Sequence, residues 1–145
     1  MRRPSFFRMS EPLLGLRRAR LFAVLWALFL FTLTSWPSPP EVPVVSSIPN
    51  FDKVVHATLY GVEGFLLYFA IRWRGGVSWR RALVIGAILA IWGTLDEIHQ
   101  LWIPGRSCEV GDAVTDTVAG LAGGLAAFLW SSRRAAPEPT SSPRS

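Results

Sequence analysis

Residues 93–116 read GTLDEIHQLWIPGRSCEVGDAVTD, a polar stretch between two apolar runs, and the fold turns on how it is read. It holds five of the chain's ten acidic residues, one of its two histidines and an arginine beside a Pro-Gly turn. Residues 82–95 before it are apolar throughout, but they are too few to cross a bilayer, which takes about 20 residues of helix. The helix is therefore expected to continue through Asp96, Glu97 and His99 to about Gln100 or Leu101. Pro104 and Gly105 end it, and so short a loop makes the two flanking helices antiparallel neighbours. Asp112 stands where a helix N-cap belongs, with Asp116 one turn inside the apolar run 113–130. Carboxylates at the boundary of two apolar helices need a physical reason.

Two further apolar runs lie upstream. Residues 54–71 carry only His56 and Glu63 as ionisable groups, and Asn50 or Asp52 is placed to cap their helix. Residues 21–36 are apolar and are broken by Pro37, Pro39 and Pro40. The basic-then-apolar plan of this first segment also fits a secretory signal peptide. Trp36 and the prolines after it make a poor small-residue cleavage site, so an uncleaved first helix is expected. Segments such as LFAVLWALFLF and ALVIGAILAIW lack the polar face that a soluble bundle would show. With half of the 145 residues apolar, the expected class is all-α, a four-helix transmembrane bundle. The expected boundaries are a basic cytoplasmic tail over 1–20, a membrane domain over 21–132 and a disordered polar tail over 133–145. Gly120, Gly123 and Gly124 give the last helix a small surface for close helix approach.

The net charge of +5 does not point to nucleic acid, because the basic residues are not interleaved with aromatics on one soluble face. Arg2, Arg3, Arg8, Arg17, Arg18 and Arg20 precede the first run, Arg72, Arg74, Arg80 and Arg81 separate the second and third, and Arg133 and Arg134 follow the fourth. The other two loops hold only Lys53 and Arg106. The positive-inside rule then places both termini in the cytoplasm, with membrane lipids as partners. Cys108 is the only cysteine, so neither a disulfide within the chain nor a multi-cysteine metal site exists.

That topology gathers Asp52, Lys53 and His56, Asp96 to Gln100, and Asp112 and Asp116 at the outer side. Helical offsets let each helix turn these groups inward: Asp52, His56 and Glu63 share a face, as do Asp112 and Asp116. Glu63 lies about 16 Å along its helix from Asp52, near mid-membrane, and must be protonated or paired, for packing or for function. Arg106 is expected to pair with Glu97 or Asp112 and lock the loop. Two cations cannot balance all these acids, so a cationic ligand, a divalent ion or acid–base work by the carboxylates is implied. The spacing of His56 and His99 with the acids matches no defined metal motif, and no cofactor is expected.

At these positions the chain resembles the VanZ-like family of small multi-pass bacterial membrane proteins. Asp52, Lys53, His56 and Tyr60 are similar to its first motif, Glu97, Gln100, Pro104 and Arg106 to its second, and Asp112, Asp116 and Gly120 to its third. Asp116 stands where an amide is common. The resemblance covers about residues 50–125 and implies a multi-pass protein of the bacterial inner membrane, linked through its namesake to glycopeptide resistance, but it supplies no mechanism. Three functions stay open. The first is binding of an envelope lipid or lipid-linked cell-wall intermediate by Asp52, His56, Glu97, Gln100, Arg106, Asp112 and Asp116. The second is an enzyme using Glu97 or Asp112 as base on such a lipid, with or without a divalent cation. The third is a proton-coupled transporter using Glu63. Binding ranks first, because no nucleophile motif or phosphate-binding loop is present.

Overall fold

The computed structural model describes residues 10–37, 50–71 and 76–135. Within them the chain is helical, without strands, in four elements: α1 (Ser10–Thr34), α2 (Phe51–Ala70), α3 (Trp79–Gln100) and α4 (Val110–Ala135). α3 and α4 are long and apolar enough to cross a membrane. α1 and α2 have similar lengths but are diluted by charge, α1 by Arg17, Arg18 and Arg20 and α2 by Asp52, Lys53 and Glu63.

Several boundaries differ from the sequence reading. α1 begins at Ser10, so the second half of the expected basic tail is helical, and residues 1–9 lie outside the described residues. α4 runs on to Ala135 with Arg133 and Arg134 in its last turn, where cations meet the negative end of the helix dipole. The expected disordered tail from 136 onward lies outside the described residues, as do Arg72, Arg74, Pro39 and Pro40. Asn50 precedes α2 in the left-handed region (φ 58°) without a side-chain cap. Asp112 sits inside the first turn of α4 rather than at its cap, since Val110 opens the helix. α3 ends at Gln100, where the polar residues had placed its end.

α4 is the central helix, packed along α2 and α3, while α1 lies mainly against α2. Small residues allow this closeness. A Cβ on Gly64 would collide with the carbonyl of Gly120, and one on Gly123 with that of Gly61, so α2 and α4 meet backbone to backbone. Gly120 and Gly124 also face α3, at Leu89 and Ala82. Leu30, Tyr60, Tyr68, Ile85, Leu89 and Ala127 form the buried core.

The two ends of the bundle are chemically opposite. At the basic end, Arg20 Nε donates to Ala70 O (3.2 Å) and Arg81 Nη1 to Tyr68 O (2.8 Å), satisfying carbonyls in the last turn of α2. Arg81 also lies over the Tyr68 ring, 4.6 Å from its centroid. At the polar end converge the C-termini of α1 and α3 and the N-termini of α2 and α4.

Candidate functional site

The polar end contains two adjoining groups of carboxylates with different partners. The outer group is Asp52, Glu109 and Asp112, and its centre is filled by Lys53. Lys53 Nζ donates to Asp112 Oδ1 at 2.7 Å, Asp52 Oδ2 at 3.2 Å and Glu109 Oε2 at 3.3 Å. These bonds, that to Asp112 the shortest, hold the ammonium at the rim of the polar end. Asp52 and Glu109 are exposed, so Asp52 does not turn inward with His56 and Glu63 as the helical offsets had suggested.

The inner group is His56, Glu97 and Asp116. His56 Nδ1 bonds Asp116 Oδ1 at 2.9 Å, and its Nε2 lies 4.0 Å from Asp112 Oδ2. The imidazole lies parallel to the Tyr60 ring below it. Asp116 is completely buried, and the absence of a side chain at Gly93 makes room for it: a Cβ there would stand 3.1 Å from Asp116 Cβ and 3.2 Å from its Oδ2. Glu97, one turn beyond Gly93 on the same face of α3, accepts from the Glu109 amide at 2.7 Å through Oε2. That bond ties the loop before α4 to the end of α3. Glu97 Oε1, Asp116 Oδ2 and Gln100 Nε2 are buried with no hydrogen-bond partner among the described residues.

α1 joins the site as well. Asp96 Oδ1 accepts from Thr34 Oγ1 (2.8 Å) and Oδ2 from Tyr60 OH (3.1 Å), so one carboxylate of α3 links α1 to α2. Ser35 Oγ and His99 Nε2 are 3.2 Å apart, and Phe31 stacks on the His99 ring. His99 therefore faces α1 and stands apart from the inner group.

Arg106 corrects the sequence reading. It makes no ion pair with Glu97 or Asp112 among the described residues; Nη2 donates to Leu33 O at 2.9 Å and Nε to Trp36 O at 3.3 Å. The last carbonyls of a helix have no partner within it, and the chain leaves α1 toward Pro37, which cannot extend the helix. The guanidinium reaches one such carbonyl, Leu33 O, and that of Trp36 just past the helix, from a turn at Ile103–Arg106, where Pro104 precedes Gly105 at φ 78°. Lys53 takes the place at Asp112 that had been expected of Arg106. Glu63, deeper in α2, is buried away from both groups, and its Oε2 has no hydrogen-bond partner among the described residues.

The sequence profile of the VanZ/LLP1 family matches residues 18–131, most of the chain. The chain belongs to the VanZ/LLP1 family. No curated protein and no solved structure matches it. In this VanZ/LLP1 chain most of the residues that carried the resemblance converge: on α2, Lys53 meets Asp52 and Asp112, His56 meets Asp116 with Glu97 close by, and Tyr60 bonds Asp96, while Gln100 is buried at the end of α3. Arg106, in the loop between α3 and α4, is bonded instead to Leu33 and Trp36 at the end of α1.

Thr34 and Ser35 were not read from sequence as part of the cluster. Their signal was two hydroxyl residues ending an otherwise apolar helix. Glu109 gave no such signal, because it contributes through its backbone amide as well as its side chain. Gly93 acts by leaving space, which residue identity alone does not reveal.

Proposed function

We propose that this VanZ/LLP1 member is a four-span protein of the bacterial inner membrane with both termini in the cytoplasm. Its outer polar cluster holds the head of an envelope lipid or lipid-linked cell-wall intermediate and so alters susceptibility to glycopeptide-type antibiotics. The observation that carries the reading is the set of buried polar atoms without a hydrogen-bond partner among the described residues, Glu97 Oε1 and Gln100 Nε2 on α3 and Asp116 Oδ2 on α4, two helices packed together. Each adds a desolvation cost of about 1–3 kcal/mol that the fold leaves uncompensated, and a ligand with hydroxyl, amine or phosphate groups would offset it.

Two further features support a lipid. Outward faces of all four helices are apolar, from Phe22, Leu25 and Phe29 on α1 and Val62 and Phe69 on α2 to Leu83 and Ile91 on α3 and Val118 and Leu129 on α4. Between α1 and α3 runs an open groove of about 210 Å³, in which Phe31, Trp92 and Leu95 lie beside Asp96 and His99. Apolar walls ending in a carboxylate and an imidazole suit an amphipathic ligand. Orientation is supported by charge: Arg17, Arg18, Arg20, Arg80, Arg81, Arg133 and Arg134 all fall at the basic end.

The His56–Asp116 pair favours one second reading, a membrane enzyme in which His56 acts as general base on the same class of lipid. The test is glycopeptide susceptibility of cells expressing His56→Gln or Gln100→Leu, with protein level and folding checked. Altered susceptibility with unchanged folding is expected. Variants that fold and behave as wild type would leave the cluster a packing network.

A further inference from the structure

The two carboxylate groups pose the same electrostatic problem and only one solves it with a side chain. In the outer group a lysine ammonium contacts all three acids. In the inner group one ligand atom each from His56, Glu97 and Asp116 lies within 4.8 Å of the other two, and no lysine or arginine among the described residues pairs with Glu97 or Asp116. Glu97 and Asp116 are more than nine-tenths buried, and each keeps one oxygen without a hydrogen-bond partner among the described residues. Protonating His56 would offset one charge through Asp116 Oδ1 and leave Glu97 Oε1 as it stands.

We propose that His56, Glu97 and Asp116 bind a single divalent transition-metal ion of the Zn²⁺ class. One imidazole and two carboxylates form a mixed nitrogen–oxygen set that suits such an ion better than Mg²⁺ or Ca²⁺, which take oxygen ligands in larger number. Ligands about 2.1 Å from a tetrahedral ion stand roughly 3.4 Å apart, so atoms already within 4.8 Å need only small side-chain movements. Ligation through Nδ1 takes the place of the His56–Asp116 hydrogen bond: a neutral Nδ1–H imidazole passes its proton to Nε2, whereas an imidazolium keeps its Nε2 proton and releases the Nδ1 proton to solvent.

The surroundings hold the ligands in place. Glu97 is held through Oε2 by the Glu109 amide, which leaves Oε1 free to ligate. With Nδ1 on the ion, His56 Nε2 faces Asp112 Oδ2 across 4.0 Å, longer than a hydrogen bond, and a small ring shift would bring it to the carboxylate that Lys53 anchors, the kind of support that orients metal-bound imidazoles. Three protein ligands leave a coordination position open. The role of that position rests on the headgroup reading: a phosphate oxygen of the lipid would complete the shell.

The experiment uses the full chain in detergent, stripped with EDTA, dialysed and then titrated with Zn²⁺, with bound metal counted by mass spectrometry and Co²⁺ as the optical reporter. One ion per chain and the intense visible bands of low-coordinate Co²⁺ are expected. His56→Gln, Glu97→Gln and Asp116→Asn should each lose the ion, Asp112→Asn should weaken it by about tenfold, and Cys108→Ser, in the exposed loop, should leave it unchanged. Substoichiometric binding, or binding indifferent to the three ligand substitutions, overturns the site. If a variant does not fold, zinc-edge absorption of the wild type decides: one nitrogen and two carboxylate oxygens support the site, while sulfur from Cys108 or an all-oxygen shell overturns it. Wild type that carries envelope lipid yet fails to take up one ion per chain would overturn the metal site and leave the headgroup reading standing. A bound ion without lipid would do the reverse.

Discussion

Gly123→Ala tests whether backbone contact between α2 and α4 holds the polar residues in register. The added Cβ would lie on the Gly61 carbonyl, 2.9 Å from its carbon and 3.0 Å from the Phe65 amide nitrogen, where ordinary contact is 3.4–4 Å. Both obstacles are backbone and cannot rotate away. Relief requires α2 and α4 to separate by on the order of 1 Å, which forfeits a quarter to a half of the attraction between the atoms moved apart. Overpacking of this kind costs about 1–3 kcal/mol, and the backbone clash puts Gly123 at the upper end. Alanine's better helix propensity returns about 1 kcal/mol, leaving a net loss of roughly 2 kcal/mol. Gly15→Ala on α1 meets nothing within 4 Å and should keep the propensity gain alone. Unfolding in detergent, by heat or added SDS and followed by circular dichroism, should therefore move the two variants in opposite directions. A Gly123→Ala protein as stable as Gly15→Ala would refute the close packing of α2 on α4.

Arg106→Ala should cost only about 1–2 kcal/mol, the loss of two partly exposed bonds to the end of α1, and leave metal binding intact. A loss of about 3–5 kcal/mol, as for a broken buried ion pair, would restore the pairing with Glu97 or Asp112. Lys53→Met removes the ammonium that contacts Asp52, Glu109 and Asp112 together and should lower the melting temperature in detergent; a melting temperature equal to that of wild type would show that the outer group does not depend on it. Cys108 is exposed in the loop between α3 and α4. An impermeant maleimide should label it from outside spheroplasts, and labelling only after lysis would invert the proposed topology.

Helix number and the end of α3 were legible in the sequence because apolar length and Pro-Gly punctuation are local signals. The gathering of His56, Glu97 and Asp116 was legible too, since helical offsets fix which residues share a face once the helices are antiparallel. What escaped depends on relations between helices. Lys53 and Arg106 were the two cations near the cluster, and sequence could not say which would meet Asp112. The answer lay in two backbone carbonyls, Leu33 O in the last turn of α1 and Trp36 O just beyond it, a demand invisible in side-chain identity. Asp96 bridging Thr34 and Tyr60, and Gly93 making room for Asp116, likewise arise only from packing. The register of α1 was misread because Arg17, Arg18 and Arg20 looked like a tail and are helical.

The most direct measurement is native mass spectrometry of the protein released from its own membrane, compared with a Glu97→Gln, Asp112→Asn variant that elutes as a folded species. The account predicts a co-purifying envelope lipid or lipid-linked intermediate on the wild type that is lost from the variant. Wild type without such a lipid, or the same lipid at the same occupancy on both proteins, would contradict it.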